Sequence, residues 1–146
     1  MNTKTIDYAL RATWQAVARM YNEEAAKYDA TMAIAFALLS IDKEGTPSTS
    51  LGPKMGMEAT SLTRTLKNME EKGLIKKKKN PKDGRGVIIK LTPLGIKKRE
   101  LSKAGVLQFN DVIKQHVSEE KIKHFLEVTE TINSLIAERQ IFEEDV

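Results

Sequence analysis

A seven-residue run dense in turn formers, Asn80-Pro81-Lys82-Asp83-Gly84-Arg85-Gly86, constrains this chain more than any other feature. On one side lies Leu74 to Lys79, and on the other the β-branched and apolar run Val87 to Leu91. Neither stretch shows a helical period, and each has strand length. A run of Pro, Gly, Asn and Asp between two such stretches predicts a β-hairpin with a projecting tip. Whatever precedes and follows must pack around that hairpin.

What precedes it reads as helices. In Ile6 to Tyr28, Leu10, Trp14, Val17 and Tyr21 recur at three- and four-residue steps, uninterrupted by Gly or Pro. Asp29 or Thr31 is placed to cap a second helix, Met32 to about Asp42, which is apolar nearly all round and therefore expected to be buried. Thr46-Pro47 has the form of a helix start, a capping hydroxyl followed by a residue that lacks only a redundant N–H. That third helix is expected to be short, because Gly52-Pro53 interrupts it and Gly56 follows. Glu58 to Lys72 carries Leu62, Leu66 and Met69 on one stripe, and Gly73 stands where a helix C-cap belongs. Two short helices joined by a glycine-containing turn outline a helix-turn-helix.

Beyond the hairpin, Thr92-Pro93 repeats the cap-plus-proline signal and opens a long helix to about Val117. Ser118-Glu119-Glu120 opens a last one to about Gln140, with Ile122, Phe125, Leu126, Ile132, Leu135 and Ile136 on its apolar stripe. The expected fold is therefore mainly α with a small β-hairpin wing, in the α+β class. A winged helix-turn-helix lobe would occupy about residues 30–99 of a single 146-residue domain, with helical arms at 1–29 and 100–146. The arms carry wider apolar stripes than one small lobe needs. Trp14, Phe109, Ile113, Phe125, Leu135 and Phe142 would stay partly exposed in a monomer, which points to a homodimer.

Charge sharpens the reading. The chain is formally +4, but Lys54 to Arg99 holds 14 Lys/Arg against 4 Asp/Glu, and the remainder 10 against 16. A basic middle between acidic ends suits a polyanion. Nucleic acid comes first and an anionic membrane surface second; a merely solvated lysine-rich face is the plainest alternative. Cysteine is absent, which excludes disulfides, thiolate metal sites and a cysteine nucleophile. The longest apolar run, Met32 to Ile41, is about half of what a bilayer requires. The N-terminal segment has no signal-peptide core, so a cytoplasmic location is the expectation. No phosphate-binding glycine loop, serine elbow or His-Glu-x-x-His is present, and nothing proposes an enzyme, a cofactor or a metal. His116 and His124 stand without a cysteine and read as exposed or capping residues.

The helix 58–72 offers a polar face opposite its apolar stripe. Thr60, Arg64, Lys67 and Asn68 lie on that face, flanked by Ser61, Thr63 and Thr65. Arginine pairs bidentately with guanine and asparagine with adenine, while hydroxyls serve bases or phosphates. The face suits the major groove of double-stranded DNA. Arg85, between two glycines at the tip, suits a narrow minor groove, with Asp83 placed to orient it. Lys76 to Lys79 would run along phosphates, but strand alternation lets only about half of them do so; Lys77 and Lys79 are the candidates.

Two stretches resemble the MarR family of bacterial transcriptional regulators. Asp83-Gly84-Arg85-Gly86, followed by Val87 to Leu91 and Thr92-Pro93-Leu94-Gly95, resembles that family's wing, strand and exit. Ser61-Leu62-Thr63-Arg64 with Met69-Glu70-Glu71-Lys72-Gly73-Leu74-Ile75 resembles its recognition helix and the Glu-x-x-Gly-Leu-Ile that follows. Glu58 departs from the family's Asp- or Ser-type cap, and Gly52-Pro53 is unusual in the helix before it. The resemblance spans essentially the whole chain. It implies an obligate homodimer that binds a pseudo-palindromic operator and usually represses. It also implies an effector pocket where the arms meet the lobe. Trp14, Met20, Tyr21, Met32, Phe36 and Phe109 are candidates to line it for a small lipophilic or aromatic ligand, with Arg11, Arg19 or His116 as charge partners. Two other readings remain open: a protein-interaction module on the same fold, and a ligand-binding helical dimer.

Overall fold

The computed structural model describes residues 4–82 and 86–143. It separates into two compact units, Met1–Ala104 and Gly105–Val146. In chain order the elements are α1 (Ile6–Ala26), α2 (Met32–Ser40), β1 (Thr46–Pro47), α3 (Ser48–Met55), α4 (Ala59–Glu71), β2 (Ile75–Lys79), β3 (Val87–Leu91), α5 (Pro93–His116) and α6 (Glu119–Ala137).

The first unit is built around a small dry core. Ile34, Ala37 and Leu38 of α2 meet Ile41, Leu51 of α3, Leu62, Leu66 and Met69 of α4, and Leu74, Ile75 and Ile89 of the hairpin. The all-apolar α2 is thus buried where its sequence requires. Thr31, not Asp29, caps it: the Ile34 N–H donates to Thr31 Oγ1 at 3.2 Å. Asp29 instead takes a left-handed backbone, φ 56°, at the corner between α1 and α2. The Lys72 ammonium donates to the Asp29 carbonyl at 2.8 Å and stands 3.7 Å from its carboxylate, tying that corner to the end of α4.

Two expectations need correction. The helix expected at Thr46-Pro47 opens one residue later, at Ser48, with Pro47 at its N-cap position and no side-chain cap from Thr46. Thr46-Pro47 forms β1, the short outer strand of a three-stranded antiparallel sheet ordered β1-β3-β2, with Thr46 opposite Ile89 and Pro47 opposite Ile88. The Thr46 hydroxyl serves the preceding turn, accepting from the Asp42 N–H at 2.8 Å, so it is not available as a helix cap. Nor does Gly52-Pro53 stop α3, which runs on to Met55 with Pro53 inside it. The stop is Gly56, at φ 63°, where the Met57 N–H closes onto the Gly52 carbonyl at 3.0 Å. Left-handed backbone at this position favours glycine.

α4 ends as the sequence reading anticipates. Gly73 has φ 73°, its N–H donates to Glu70, and the Leu74 N–H reaches back to Met69 at 2.9 Å. This paired closure satisfies two otherwise orphaned carbonyls and turns the chain directly into β2. At its other end Glu58 makes no side-chain cap, in keeping with its poor capping chemistry. β2 and β3 pair from Ile75 with Leu91 to Lys79 with Val87. At the hairpin end the Asn80 N–H donates to Gly86, and Asn80 Oδ1 accepts from the Lys82 N–H.

In the second unit Ser118 caps α6, accepting from the Lys121 N–H at 3.2 Å beside Glu119 and Glu120, which favour a helix N-terminus. α6 buries none of its residues; Phe125, Leu126 and Ile136 are each more than half exposed and Val128 is half exposed. α1, in the first unit, likewise buries none, and Trp14 is 53 % exposed.

Candidate nucleic-acid interface

α4 is sharply two-sided. Leu62, Leu66 and Met69 are all but inaccessible to solvent. Opposite them Thr60, Ser61, Thr63, Arg64 and Lys67 are exposed and Asn68 is half-buried. Ala59, Thr60, Thr63, Arg64 and Lys67 line one shallow open depression along the helix. The structure thus brings five of the six residues assigned to α4 onto one accessible face.

Chemically the face is a set of donors awaiting acceptors. Arg64 and Lys67 form no ion pair and no hydrogen bond among the described residues. An unpaired guanidinium on a rigid helix retains its full fork of N–H groups for an external acceptor. Thr63 differs. Its hydroxyl donates to the Ala59 carbonyl at 2.8 Å, so toward an external partner it offers lone pairs, not a proton.

The strand lysines divide by parity. Ile75 is buried, and Lys77 lies opposite buried Ile89, so Ile75, Lys77 and Lys79 share the face of the sheet that packs on the core. The Lys77 ammonium stands 3.8 Å from Glu70 of α4. Lys79, nearer the tip, is exposed. Lys76 and Lys78 share the opposite face with Lys90 and Ile88. The sequence reading chose Lys77 and Lys79 over this outward pair, and the register puts the chosen pair on the face that carries Ile75. Asp83 and Arg85 lie outside the described residues.

Of the residues assigned to an effector pocket, three converge. The rings of Tyr21 and Phe36 meet edge to face, 5.5 Å between centroids and 70° between planes. Beside them the Met32 N–H donates to Asn22 Oδ1 at 2.9 Å, joining α1 to α2. Burial raises the Tyr21 phenol above its ordinary pKa, so it is the neutral hydroxyl at physiological pH. Trp14 and Met20 are exposed on α1, and Phe109 is half-buried in the second unit. Arg11 lies over the ring of Tyr8, 5.7 Å from its centroid. His116 Nδ1 lies 2.9 Å from the Val112 carbonyl. Among the described residues no cluster of His, Cys, Asp or Glu is arranged to hold a metal ion, and no helix is long and apolar enough to cross a membrane.

Comparison with known proteins agrees with this geometry. Residues 31–87 match the model of the MarR family. The chain is 30% identical over 78 residues to YdgJ, an uncharacterized HTH-type transcriptional regulator of Bacillus subtilis (strain 168), a match covering 53% of this chain and 48% of that one. The chain therefore matches about half the length of this curated relative. Among solved structures, the MepR–DNA complex of S. aureus superposes with a TM-score of 0.81 at 21% identity, covering 90% of this chain and 98% of that one. The PcaV transcriptional regulator of Streptomyces coelicolor, in complex with its natural ligand, gives 0.78 at 17%, covering 92% and 96%. At these identities the structural likeness speaks to the fold.

Proposed function

We propose, from a winged lobe that belongs to the MarR family at residues 31–87, that this chain is a DNA-binding transcriptional regulator acting as a homodimer, in the usual case a repressor. The observation that carries the proposal is the exposed face of α4, whose Arg64 and Lys67 have no partner among the described residues, beside a lysine-rich hairpin. In this reading α4 lies in the major groove. Arg64 pairs with a guanine edge, Thr60 and Ser61 serve bases or phosphates, and Lys67 and Asn68 extend the contact. Arg85 reaches the adjacent minor groove, and Lys77 and Lys79 lie toward phosphates. MepR, whose fold this chain shares, has been crystallised on DNA.

Dimerisation is supported by apolar surface that each unit leaves in water. Ile6, Leu10 and Trp14 stand out from α1, and Phe125, Leu126 and Ile136 from α6. Contiguous stripes of this kind mark interfaces, and a twofold axis makes the operator a pseudo-palindrome. An effector, a small lipophilic or aromatic molecule, would act at the aromatic corner of Tyr21, Met32 and Phe36, with Trp14 and Met20 as further lining. It would favour one spacing of the two lobes over another. PcaV, which shares the fold, has been solved with its natural ligand.

Selection from a random duplex pool tests the proposal. The expected outcome is an enriched inverted repeat with half-sites about one helical turn apart. Binding with no enriched sequence would remove the base-reading role of α4. No binding even at low salt would overturn the regulator reading in favour of a protein-interaction module.

A further inference from the structure

The hydroxyl groups along α4 are not equivalent. Thr63 Oγ1 donates to the Ala59 carbonyl at 2.8 Å, one turn back along the helix. The hydroxyls of Thr60 and Ser61 make no hydrogen bond among the described residues. A threonine Cβ carries two groups, a hydroxyl and a methyl. With the Thr63 hydroxyl turned back onto its own helix, the methyl is the group left to face outward. Thr63 is exposed, so nothing in the lobe covers it.

A threonine bonded in this way is ordinary in a helix, and Thr129 and Thr131 of α6 do the same. What surrounds Thr63 is not ordinary. Ala59, Thr60, Thr63, Arg64 and Lys67 line one shallow depression. Ala59, Thr63 and Lys67 follow one another at single turns, with Thr60 and Arg64 forming the adjacent row. The Ala59 methyl, the threonine methyls and the hydrocarbon stems of Arg64 and Lys67 make this hollow mostly apolar, and no acidic residue lines it. The charged ends of Arg64 and Lys67 have no partner among the described residues. The surface therefore asks for a small apolar group set among hydrogen-bond acceptors and anions. In the major groove one base of unmodified DNA supplies that combination. Thymine carries a 5-methyl group, and the acceptors of neighbouring bases and the phosphates lie around it.

We propose that the hollow around Thr63 recognises the 5-methyl group of a pyrimidine, thymine in unmodified DNA, close to the guanine assigned to Arg64. The proposal rests on the DNA-binding reading above and deepens it. Thr63 reads by van der Waals contact through its methyl and not by hydrogen bonding through its hydroxyl. Because 5-methylcytosine carries the same group on the same ring atom, a cytosine at this place is bound more tightly once methylated.

The test uses the full chain and duplexes that differ by single methyl groups. In the selected operator each thymine is replaced in turn, in both half-sites, by deoxyuridine, which keeps every hydrogen-bonding group. At one position the wild type is expected to lose roughly fourfold in affinity per half-site, the worth of one buried methyl. At that position 5-methylcytosine is expected to bind more tightly than cytosine by a similar factor. Thr63→Val lacks the hydroxyl and keeps a methyl, and it retains the preference for thymine over deoxyuridine. Thr63→Ser keeps the hydroxyl and lacks the methyl, and it binds the two duplexes equally. A preference that survives in Thr63→Ser belongs to the duplex or to another residue and overturns the proposal. A preference lost in Thr63→Val overturns it by assigning the contact to the hydroxyl. An operator in which no deoxyuridine weakens binding overturns it too, yet leaves α4 as the reading element if the operator still outcompetes a scrambled duplex. A chain that prefers no sequence loses both readings. Each variant is expected to melt near the wild-type Tm, because the position is exposed.

Discussion

The carbonyl of Leu74 occupies the space that a side chain on Gly95 would need. A Cβ built on Gly95 runs into that oxygen, and the Leu91 side chain closes in at 3.4 Å. Thr92 completes the junction. Its hydroxyl donates to the Gly73 carbonyl at 2.6 Å and accepts from the Gly95 N–H at 3.0 Å, while its own N–H donates to Leu74 at 3.0 Å. The exit of α4 and the start of α5 are thereby stitched together through two glycines and one threonine.

Gly95→Ala should therefore be costly although alanine favours helices. Backbone, not a flexible side chain, is what the new methyl meets, and overpacking of this kind typically costs about 1–3 kcal/mol. Urea unfolding is expected to show a lowered midpoint at unchanged slope. A change within about 0.5 kcal/mol, as at ordinary surface sites, would contradict the tight junction.

Met69 gives the matching core prediction. It is fully buried between α4 and the sheet and belongs to the cluster that holds Ile34, Leu38 and Ile89. Met69→Ala is expected to destabilise by about 2–5 kcal/mol, from lost burial plus the cavity left behind. Calorimetry at matched concentration checks it, since a dimer's Tm depends on concentration.

Much of this was legible in the chain, and the gaps have physical causes. Gly73 was readable as a helix terminator because few other residues adopt φ 73° at low cost. The hairpin was readable from Asn80 to Gly86. Thr46-Pro47 was misread because its local signal is shared. A β-branched residue before proline caps a helix or ends an edge strand equally well, and the choice was made by Ile89, more than forty residues away in sequence. The parity of Lys76 to Lys79 was undecidable for a similar reason. Leu74 and Ile75 are both apolar and both buried, so either parity could face the core until the register of β3 fixed it. The polar face of α4 was legible except for half-buried Asn68, because Leu62, Leu66 and Met69 leave a single opposite side.

Glu70 is a brake in this account. It stands 3.8 Å from Lys77 and adds negative charge beside a surface meant for phosphates. Glu70→Gln should barely alter stability, since such exposed pairs contribute about 0–1 kcal/mol. Affinity for any duplex should rise several-fold at low salt, with the effect fading as salt increases. Titration of operator and scrambled duplex at two salt concentrations checks it. Unchanged affinity would mean that Lys77 stays out of the phosphate path.

The apolar arms carry a prediction about assembly. Phe125 is 59 % exposed on α6. Phe125→Glu puts a charge where the dimer reading buries a ring, and a buried unpaired charge is strongly disfavoured. Sedimentation should show the wild type as a dimer and this variant shifted toward monomer, with operator affinity reduced in parallel. A wild type that is monomeric at micromolar concentration would refute the dimer.

The most direct test of the central claim is the affinity of Arg64→Ala for the selected operator and for a scrambled duplex at one salt concentration. Arg64 is exposed on α4 and has no partner among the described residues. The account predicts a loss of about 1–3 kcal/mol on the operator, a smaller loss on the scrambled duplex and relaxed preference at one base position in each half-site. Equal affinity of variant and wild type for the operator would contradict the assignment of α4 as the element that reads sequence.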